Sequence, residues 1–435
     1  MDTISNKNGG KVLASGGFGC IFSPALKCKG STQRKRNTVS KLMISKNAKK
    51  EFNDISKLNI ILNKIPNYKL YFLIDNYSIC QPSKLTNYDL KNFDKCKSLK
   101  KEDINKENIN ESLNHILSLN MPYAGITVES FILNSKSYDK IIQINNKLID
   151  LLLNGIIPMN NVNVYHNDIK DSNILIDESN TNEMKVRLID WNLSVEYVPF
   201  KNTPFPKNWR NRPLQFNNPF SNILFTDMFY DTYTSYLKKN NLTTPPSKNK
   251  LEVFIKNYIK KWKETRGPGH IKYINKIMYM LFSIQTNNIP KKNTLFYIEE
   301  HFTNKIITEY LVEILLNFTI FKSDGRLNLR EYLDNVFIKI VDIWGLIISY
   351  FPLYELLFEN YKNLNNKQLL IFNELRNIFL EYLYKPRIKA INIDDLVNSL
   401  KNINKIIQNK TISNKLVSFR KKIKNSVTKK KRIIK

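Results

Sequence analysis

The 435-residue sequence predicts an α+β protein, with a small antiparallel sheet in its N-terminal part and a mainly helical remainder. Two observations predict this class. The run 11–21 reads as strand, glycine-rich turn and strand, and 38–43 is a further short β-type run. Apolar residues then recur at helical spacing over 138–153 and over 251–262. The length and a hydrophobic content of 42% are sufficient for two lobes with a buried core.

The most specific chemical pattern joins two short segments. Residues 166–173 read His-Asn-Asp-Ile-Lys-Asp-Ser-Asn, and residues 188–192 read Leu-Ile-Asp-Trp-Asn. Phosphoryl transfer needs a carboxylate that orients the attacking hydroxyl, oxygen ligands for Mg²⁺ and a cation beside the moving phosphoryl group. A lone His-x-Asp is common, but this combination of residues is much rarer. It resembles the catalytic loop and the metal-binding motif of protein kinases.

The resemblance implies a role for each polar residue of these segments. Asp168 is expected to orient the acceptor hydroxyl and to accept its proton, and Lys170 to contact the γ-phosphate of ATP. Asn173 and Asp190 are expected to bind Mg²⁺, which prefers oxygen ligands. Lys170 favours Ser and Thr over Tyr as the acceptor, and His166 is expected to pack under the loop.

The glycine-rich run 11–21 resembles the loop with which kinases cover the phosphates of ATP. Without a Cβ, glycine lets backbone N–H groups approach a phosphate closely. Ala14 stands where the family has its first glycine, whereas Gly16 and Gly19 keep the turn. The nucleotide-binding residues expected here are Leu13, Gly16, Gly17, Phe18, Gly19 and Ile21.

Lys41, in the β-type run 38–43, matches the kinase strand lysine that holds the α- and β-phosphates. That lysine needs a carboxylate partner, and Glu51 is the best candidate. Glu51 shares helical spacing with Ile55, Leu58 and Leu62, so we expect it on a helix that packs against the sheet.

The segment 118–125 resembles the hinge of kinases. Met121 is expected to border the adenine pocket, and the backbone at Pro122 and Ala124 to bind adenine. Because a hinge is recognised through its backbone, an ordinary turn after an apolar strand remains an alternative.

Several positions depart from the family pattern. Asn167 replaces a family Arg that binds a phosphorylated residue of the activation loop. We therefore expect no activation by phosphorylation of that kind. Asn192 replaces the Gly after the metal-binding Asp, and we expect the turn to survive because Asn tolerates positive φ. In 210–221, Pro219 matches the family's Ala-Pro-Glu, but no Glu follows. Arg387 therefore cannot be assigned as its ion-pair partner.

The apolar run 341–358 is predicted to be a buried core helix. It carries Asp342 and Glu355 and is barely long enough to span a membrane, so no membrane span is expected. The resemblance gives Asp342 the family role of binding the backbone of the catalytic loop. No signal-peptide segment is expected at the N-terminus.

The resemblance also sets the expected domain organisation. The small lobe includes a polar surface insertion at 87–112. The expected boundaries are the small lobe at 1–125, the catalytic and metal-binding loops at 126–221, a helical insertion at 222–335, core helices at 336–415 and a basic tail at 416–435.

A formal net charge of +30 predicts attraction to nucleic acid, acidic peptides and anionic membranes. The tail reads as a nuclear-import signal, a nucleic-acid contact or a solvated segment. A preference for acidic protein substrates is a further hypothesis. The Cys residues at 20, 28, 80 and 96 lack metal spacing and fit a reducing compartment. An intracellular location is therefore expected, in host cytoplasm or a virion, or in the nucleus through the tail.

The phrases at 15–28 and 212–221, in a Lys-, Asn- and Ile-rich chain, resemble the divergent serine/threonine protein kinases of giant nucleocytoplasmic DNA viruses. The resemblance covers nearly the whole chain. It implies a bilobal protein-kinase-like fold, with ATP between the lobes, and Mg²⁺-dependent transfer to Ser or Thr of protein substrates. Two alternatives remain. A small-molecule kinase of the aminoglycoside-phosphotransferase type shares the Asp-Trp pair, and a pseudokinase scaffold or basic nucleic-acid-binding protein would be non-catalytic.

Overall fold

A computed structural model describes residues 10–135, 137–179, 184–201, 205–240, 246–283, 294–319 and 329–409. The chain divides into two compact units. Unit 1 comprises the described residues of Met1–Ile126 and Leu175–Asn192, and unit 2 those of Thr127–Ile174 and Leu193–Lys435. The predicted basic tail at 416–435 lies outside the described residues.

The strands are β1 Lys11–Ser15, β2 Gly19–Ser23, β3 Thr38–Ile44, β4 Ser78–Cys80, β5 Ile116–Pro122, β6 Ile126–Thr127, β7 Val164–Tyr165, β8 Ile174–Asp177, β9 Lys185–Leu188 and β10 Val195–Glu196. The helices are α1 Ser45–Leu62, α2 Lys97–Lys100, α3 Val128–Asn134, α4 Tyr138–Asp150, α5 Ile157–Asn161, α6 Asp227–Lys239, α7 Lys248–Arg266, α8 Ile271–Phe282, α9 Thr294–Ile298, α10 Asn304–Phe318, α11 Arg330–Asn335, α12 Val341–Ile348, α13 Phe351–Glu359, α14 Asn366–Phe379 and α15 Ile393–Gln408. The α+β class predicted from the sequence is confirmed.

Unit 1 is built on a five-stranded antiparallel sheet with the order β1-β2-β3-β5-β4. Val39 to Met43 of the central strand β3 are all buried, as expected for a strand covered on both faces. Lys41 lies in this buried run and pairs with Ile21 on one side and Leu119 on the other. The register therefore fixes the lysine in the middle of the sheet.

Helix α1 packs against the sheet with the stripe that its sequence predicts. Ile55, Leu58 and Leu62 are buried, and Glu51 is buried in the same stripe. The spacing of four residues between Glu51 and Ile55 carries a carboxylate into the core together with the apolar side chains.

The segment 87–112 differs from its prediction as a surface insertion. Phe93, Leu99 and Ile109 are buried in one apolar cluster with Val12 and Phe22 of the sheet. The expectation was wrong for these apolar residues because they are spaced too irregularly along a polar stretch to show a helix or strand period. Short helical turns such as Phe93–Lys95 bring them onto the sheet instead.

The four cysteines are paired, which contradicts the expectation that they are reduced thiols. Cys20 is bonded to Cys96, and Cys28 to Cys80, with Cα–Cα distances of 5.6 and 5.8 Å. Both bridges lie in unit 1. The partners are 76 and 52 residues apart, and sequence spacing alone does not show that the fold brings them together.

Unit 2 is mainly helical. The helical spacing predicted over 138–153 is confirmed, and α4 continues through the π-helical turn Leu151–Ile156 into α5. The chain then forms β7 and the loop that carries the predicted catalytic residues. The predicted strands after that loop are present as β8 and β9, which belong largely to unit 1.

Helix α12 is buried at all of its positions, from Val341 to Ile348. Within the described ranges, one helical stretch, Arg330–Glu359, is long and apolar enough to cross a membrane, with a mean hydropathy of 1.8. Of its most apolar window, 94% is buried inside the protein. This burial agrees with the prediction of a core helix.

In the described part of 222–335, the predicted helical insertion, the chain forms helices α6 to α11, which are joined by short non-helical segments such as 267–270. They belong to the same compact unit as the 166–173 loop. Tyr258 of α7 donates a hydrogen bond to the backbone oxygen of Ile223, and Tyr332 of α11 donates one to Ser221. These helices therefore share the core of unit 2.

Candidate active site

In unit 1, Lys41 lies among two carboxylates. Its Nζ donates to Glu51 Oε1 at 2.8 Å and Oε2 at 3.0 Å, and lies 3.4 Å from Asp190 Oδ1. Burial lowers the pKa of Lys41, but the charges of Asp190 and Glu51 more than offset burial, so its pKa is raised. Lys41 is therefore a buried cation at neutral pH. The predicted pairing of Lys41 with Glu51 is confirmed.

Asp190 reaches Lys41 because the chain turns sharply after β9. Asp190 has φ 65°, and its Oδ1 accepts a hydrogen bond from Asn192 Nδ2 at 2.9 Å. The sequence prediction put the left-handed turn at Asn192, which is wrong: Asp190 itself takes positive φ. Asp shares with Asn a short polar side chain that tolerates this conformation.

Trp191 is a core residue. It is 1% exposed, packs edge-on against Phe72 and donates from Nε1 to the backbone oxygen of Leu73. Its indole therefore anchors the turn that carries Asp190. Because this packing explains Trp191, the Asp-Trp pair does not indicate whether the acceptor is a small molecule or a protein.

The glycine-rich turn joins β1 and β2. Leu13 and Phe18 are exposed, and the Gly16 N–H donates to the backbone oxygen of Gly19. A Cβ on Gly19 would lie 2.6 Å from Met43 Cγ and 2.8 Å from Leu42 O, whereas one on Gly17 would meet nothing within 4 Å. Packing on β3 therefore explains Gly19, while Gly17 has room for a side chain.

The predicted hinge residues lie at the end of β5 and just beyond. Met121 pairs with Val39 of β3 and is buried, as is Ala124. Gly125 has φ 94°, and a Cβ there would lie 1.9 Å from the backbone oxygen of Ile176. Met121 therefore lies on strand β5, and the adenine-binding role of the hinge segment remains a prediction.

In unit 2, Asp168 lies at the centre of a polar cluster. Its Oδ2 accepts from Lys170 Nζ at 2.8 Å and from Asn173 Nδ2 at 3.0 Å. Asn173 Nδ2 also donates to the backbone oxygen of Asp168 at 2.8 Å, which closes the loop on itself. The short turn Asp171–Asn173 thus brings three of the predicted residues together.

Asp342 of α12 holds the backbone of this loop. Its Oδ2 accepts from the His166 N–H at 2.9 Å, and its Oδ1 from the Asn167 N–H at 2.7 Å. Burial raises the pKa of Asp342, although the His166 charge and these donors act in the opposite direction. The role carried to Asp342 by resemblance is therefore confirmed as geometry.

Residues that sequence reasoning left without a role also surround the loop. Arg212 Nη1 and Asn218 Nδ2 both donate to the backbone oxygen of Asn167, at 3.3 Å. Asn217 Nδ2 donates to Asp168 Oδ1 at 2.8 Å. Burial lowers the pKa of Arg212 to about 10, against the charge of Asp168. In the sequence, these three residues were marked only by their place in the segment 212–221, which was noted because it resembles the viral kinases.

Asp171 lies within the 166–173 loop, near a second carboxylate, that of Glu129. Burial, followed by the charge of Glu129, raises the pKa of Asp171 to about 6. It is therefore a carboxyl group that changes charge in mildly acidic solution.

Arg387 also has a local partner. Its Nη2 lies 3.7 Å from Glu381 Oε1, and its guanidinium lies over the ring of Tyr382.

The described residues contain no group of three or more His, Cys, Asp or Glu side chains arranged to hold a metal ion. Asn173 and Asp190 belong to different units. Their chemistry nevertheless suits Mg²⁺, because a carboxylate and an amide carbonyl are hard oxygen ligands. Asn173 Nδ2 donates two hydrogen bonds, so Oδ1 is the side-chain atom that could accept a cation, and the metal-binding role remains a prediction.

Comparison of the chain with models of protein families and with curated protein sequences finds no match. The functional interpretation therefore depends on the residues and their geometry.

Proposed function

We propose that the chain is an ATP- and Mg²⁺-dependent protein kinase that phosphorylates Ser or Thr hydroxyls, with a bilobal protein-kinase-like fold. The observation that carries the proposal is the contact of Lys41 with Glu51 and Asp190. Asp190 is 149 residues from Lys41, whereas Glu51 is only 10 residues from it, and each of the three residues matches a separate part of the phosphoryl-transfer pattern. A buried lysine with two carboxylates is a costly arrangement that folding alone does not require.

The residues of unit 1 fit nucleotide binding. Lys41 carries a positive charge, and Glu51 orients its ammonium group, so Lys41 can neutralise phosphate oxygens. Asp190 of unit 1 would be a ligand of Mg²⁺, which would supply positive charge to the phosphates when bound, and the same role is proposed for Asn173 in unit 2.

The residues of unit 2 fit transfer to a hydroxyl. Asp168 can accept the proton of an acceptor hydroxyl, and Lys170, 2.8 Å from it, can offset the negative charge that develops on the phosphoryl group. The hydrogen bonds that Asp342 accepts from the backbone N–H groups of His166 and Asn167 hold the loop in one conformation. In the proposed reaction the acceptor hydroxyl is the nucleophile, so no side chain of the protein has to attack the phosphoryl group.

The test is transfer of labelled phosphate from ATP in the presence of Mg²⁺. The acceptors are casein, histone and a panel of sugars and aminoglycosides, and the enzymes are the wild type, Asp168→Asn and Asp190→Ala. We expect label on Ser or Thr of a protein, lost in both variants. Asp168→Asn should still bind ATP, because its side chain is assigned to the acceptor.

Other outcomes lead to different conclusions. Label on a sugar or aminoglycoside alone would identify a small-molecule kinase. ATP binding without transfer would indicate a pseudokinase scaffold. Activity that survives Asp168→Asn would overturn the role of Asp168, and absence of ATP binding would overturn the proposal as a whole.

A further inference from the structure

Asn217 makes the hydrogen bond that completes the environment of the Asp168 carboxylate. Lys170 and Asn173 both donate to Oδ2, whereas Asn217 donates to Oδ1. Asn217 Nδ2 also donates to the backbone oxygen of Ile169 at 3.2 Å. With both oxygens bound from different directions, the carboxylate plane is fixed rather than free to rotate.

The orientation of the Asn217 amide follows from its neighbours. Both groups beside Nδ2 are acceptors, so a flipped amide would put Oδ1 against a carboxylate. In this orientation the buried Oδ1 has no hydrogen-bond partner among the described residues. Asn217 is 1% exposed, so its amide donates to Asp168 at the expense of a buried Oδ1 that accepts no hydrogen bond from the described residues.

The α7–α8 turn holds the residues before Asn217 in place. The Phe216 ring contacts the rings of His270 and Tyr273, with centroids 5.3 and 4.5 Å apart. The His270 N–H donates to the backbone oxygen of Leu214 at 2.8 Å. On the other side, Trp344 Nε1 donates to the backbone oxygen of Phe216 at 3.0 Å.

The approach of this turn is very close at Gly269. Its φ is 55°, and a Cβ there would lie 2.3 Å from the backbone oxygen of Leu214 and 2.9 Å from Pro213 Cβ. Gly267, two residues earlier, has φ 81° but nothing within 4 Å of a Cβ. Glycine is therefore required at 269 by contact with the 213–214 backbone as well as by conformation.

We propose that Asn217 is a positioning residue for Asp168, and that the turn 267–270, from the predicted helical insertion, holds Asn217 in register through Leu214 and Phe216. The inference rests on the proposed kinase function. On this inference the predicted helical insertion has a role in catalysis, because its turn 267–270 packs against the residues that position the Asp168 carboxylate. No phosphate on the chain is needed for this support, in agreement with Asn167 in place of an Arg.

The first experiment compares Asn217→Ser, Asn217→Ala and Asn217→Asp in the phosphate-transfer assay. Ser keeps a donor, Ala removes it, and Asp keeps the shape but places a negative charge against Asp168. We expect kcat to fall in the order wild type, Ser, Ala, Asp, with a loss on the order of 100-fold for Ala. The KM for ATP should stay unchanged.

The order of kcat among the three Asn217 variants distinguishes a positioning role from a packing role. If Asn217 only filled space, Asp would be tolerated best because it has nearly the same shape. The matched control is Asn145→Ala, since Asn145 is equally buried and bonds to Leu400 and Asn404, away from the loop. Thermal unfolding of each variant shows whether the assay contains folded protein.

The second experiment compares Gly269→Ala with Gly267→Ala. Both place Ala at positive φ, so they share the backbone strain, but only the first drives a Cβ into Leu214 O. We expect Gly269→Ala to lower kcat at least about 10-fold relative to Gly267→Ala, with the same KM for ATP. Equal kcat values for the two variants would overturn the role of the turn.

The outcomes also separate this inference from the proposed function. If the wild type transfers phosphate but Asn217→Ala keeps its kcat, or if Asn217→Asp exceeds Asn217→Ser, the positioning role is wrong and the kinase proposal stands. If the wild type transfers no phosphate to any acceptor, both are wrong.

Discussion

Lys41 and Glu51 form a two-pronged ion pair in the interior of unit 1, with Nζ to Oε distances of 2.8 and 3.0 Å. The side chains are 8% and 4% exposed. Removing a single partner from such a pair leaves a buried charge without compensation, which costs more than the pair contributes. The pair therefore makes the folded state sensitive to either residue, and this sensitivity can be measured.

We predict that Glu51→Gln lowers the free energy of unfolding by roughly 2 to 3 kcal/mol. The buried ammonium group of Lys41 would keep only Asp190 as a charged partner. The same substitution should weaken ATP binding, because the ammonium group is no longer held in one orientation. Denaturant unfolding and nucleotide titration would measure the two effects.

The control for Glu51→Gln lies on the same helix. Lys50 and Asp54 form an exposed pair in α1, with side chains 68% and 38% exposed. Asp54→Asn should change the free energy of unfolding by no more than about 0.5 kcal/mol. If the two substitutions had equal effects, burial of the Lys41 pair would not be the source of its importance.

The raised pKa of Asp171 predicts a pH-dependent stability. Because its pKa is about 6 in the folded protein and near 3.8 when unfolded, the unfolded state loses its proton first as pH rises. The stability associated with protonated Asp171 is therefore present below about pH 4 and is lost as the pH rises through about 6. Relative to Asp171→Asn, the wild type should lose about 2 kcal/mol of unfolding free energy over this range.

Denaturant unfolding at several pH values between about 4 and 7 measures this difference directly. The side chain introduced by Asp171→Asn does not ionise, so subtracting the two curves removes the titration of all other groups. A constant difference between the curves would contradict the raised pKa. Glu129→Gln should reduce the pH dependence, because the charge of Glu129 contributes to the shift after burial.

Gly19 and Gly17 are predicted to respond differently to the same substitution. Gly19→Ala places a methyl 2.6 Å from Met43 Cγ and 2.8 Å from Leu42 O, whereas Gly17→Ala meets nothing within 4 Å. We expect a loss of about 1 to 3 kcal/mol for Gly19→Ala, as in other overpacked sites, and little change for Gly17→Ala. Thermal unfolding compares them, and equal stability of the two variants would contradict the close packing of β2 on β3.

The sequence predicted those parts of the site that depend on local spacing. Glu51 was found because it shares a helical stripe with Ile55, and Asp168, Lys170 and Asn173 because they share one loop. Periodicity carries this information because helix and loop geometry are local. The pairing of Lys41 with Glu51 was predicted from resemblance, and it forms because helix α1, which carries Glu51, packs against β3, which carries Lys41.

What the sequence missed depends on contacts between distant segments. Asn217 meets Asp168 across 49 residues of chain. Phe93, Leu99 and Ile109 are buried without a regular period, because packing rather than propensity holds them. The positive φ at Asp190 instead of Asn192 reflects a turn whose conformation is set by tertiary contacts, including the burial of Trp191.

The two disulfides are predicted to stabilise unit 1. Each closes a long loop, with partners 76 and 52 residues apart, so each bridge should restrict the unfolded chain by about 4 kcal/mol in the chain-entropy model. Cys20–Cys96 also ties β2, next to the glycine-rich turn, to the segment 87–112. We therefore expect reduction to lower the unfolding temperature and to expose 87–112 to proteolysis first.

The measurement is thiol titration of protein purified without reductant, followed by thermal unfolding before and after reduction. In denaturant, the unreduced protein should show no free thiol, and the reduced protein should show all four. The double variant Cys28→Ser with Cys80→Ser keeps the Cys20–Cys96 bridge, so its proteolysis at 87–112 should still depend on reductant. Four free thiols before reduction, with no change in unfolding temperature, would restore the expectation of a reduced protein. The segment 87–112 would then be held against the sheet by noncovalent contacts, chiefly the apolar cluster that includes Val12, Phe22 and Phe93.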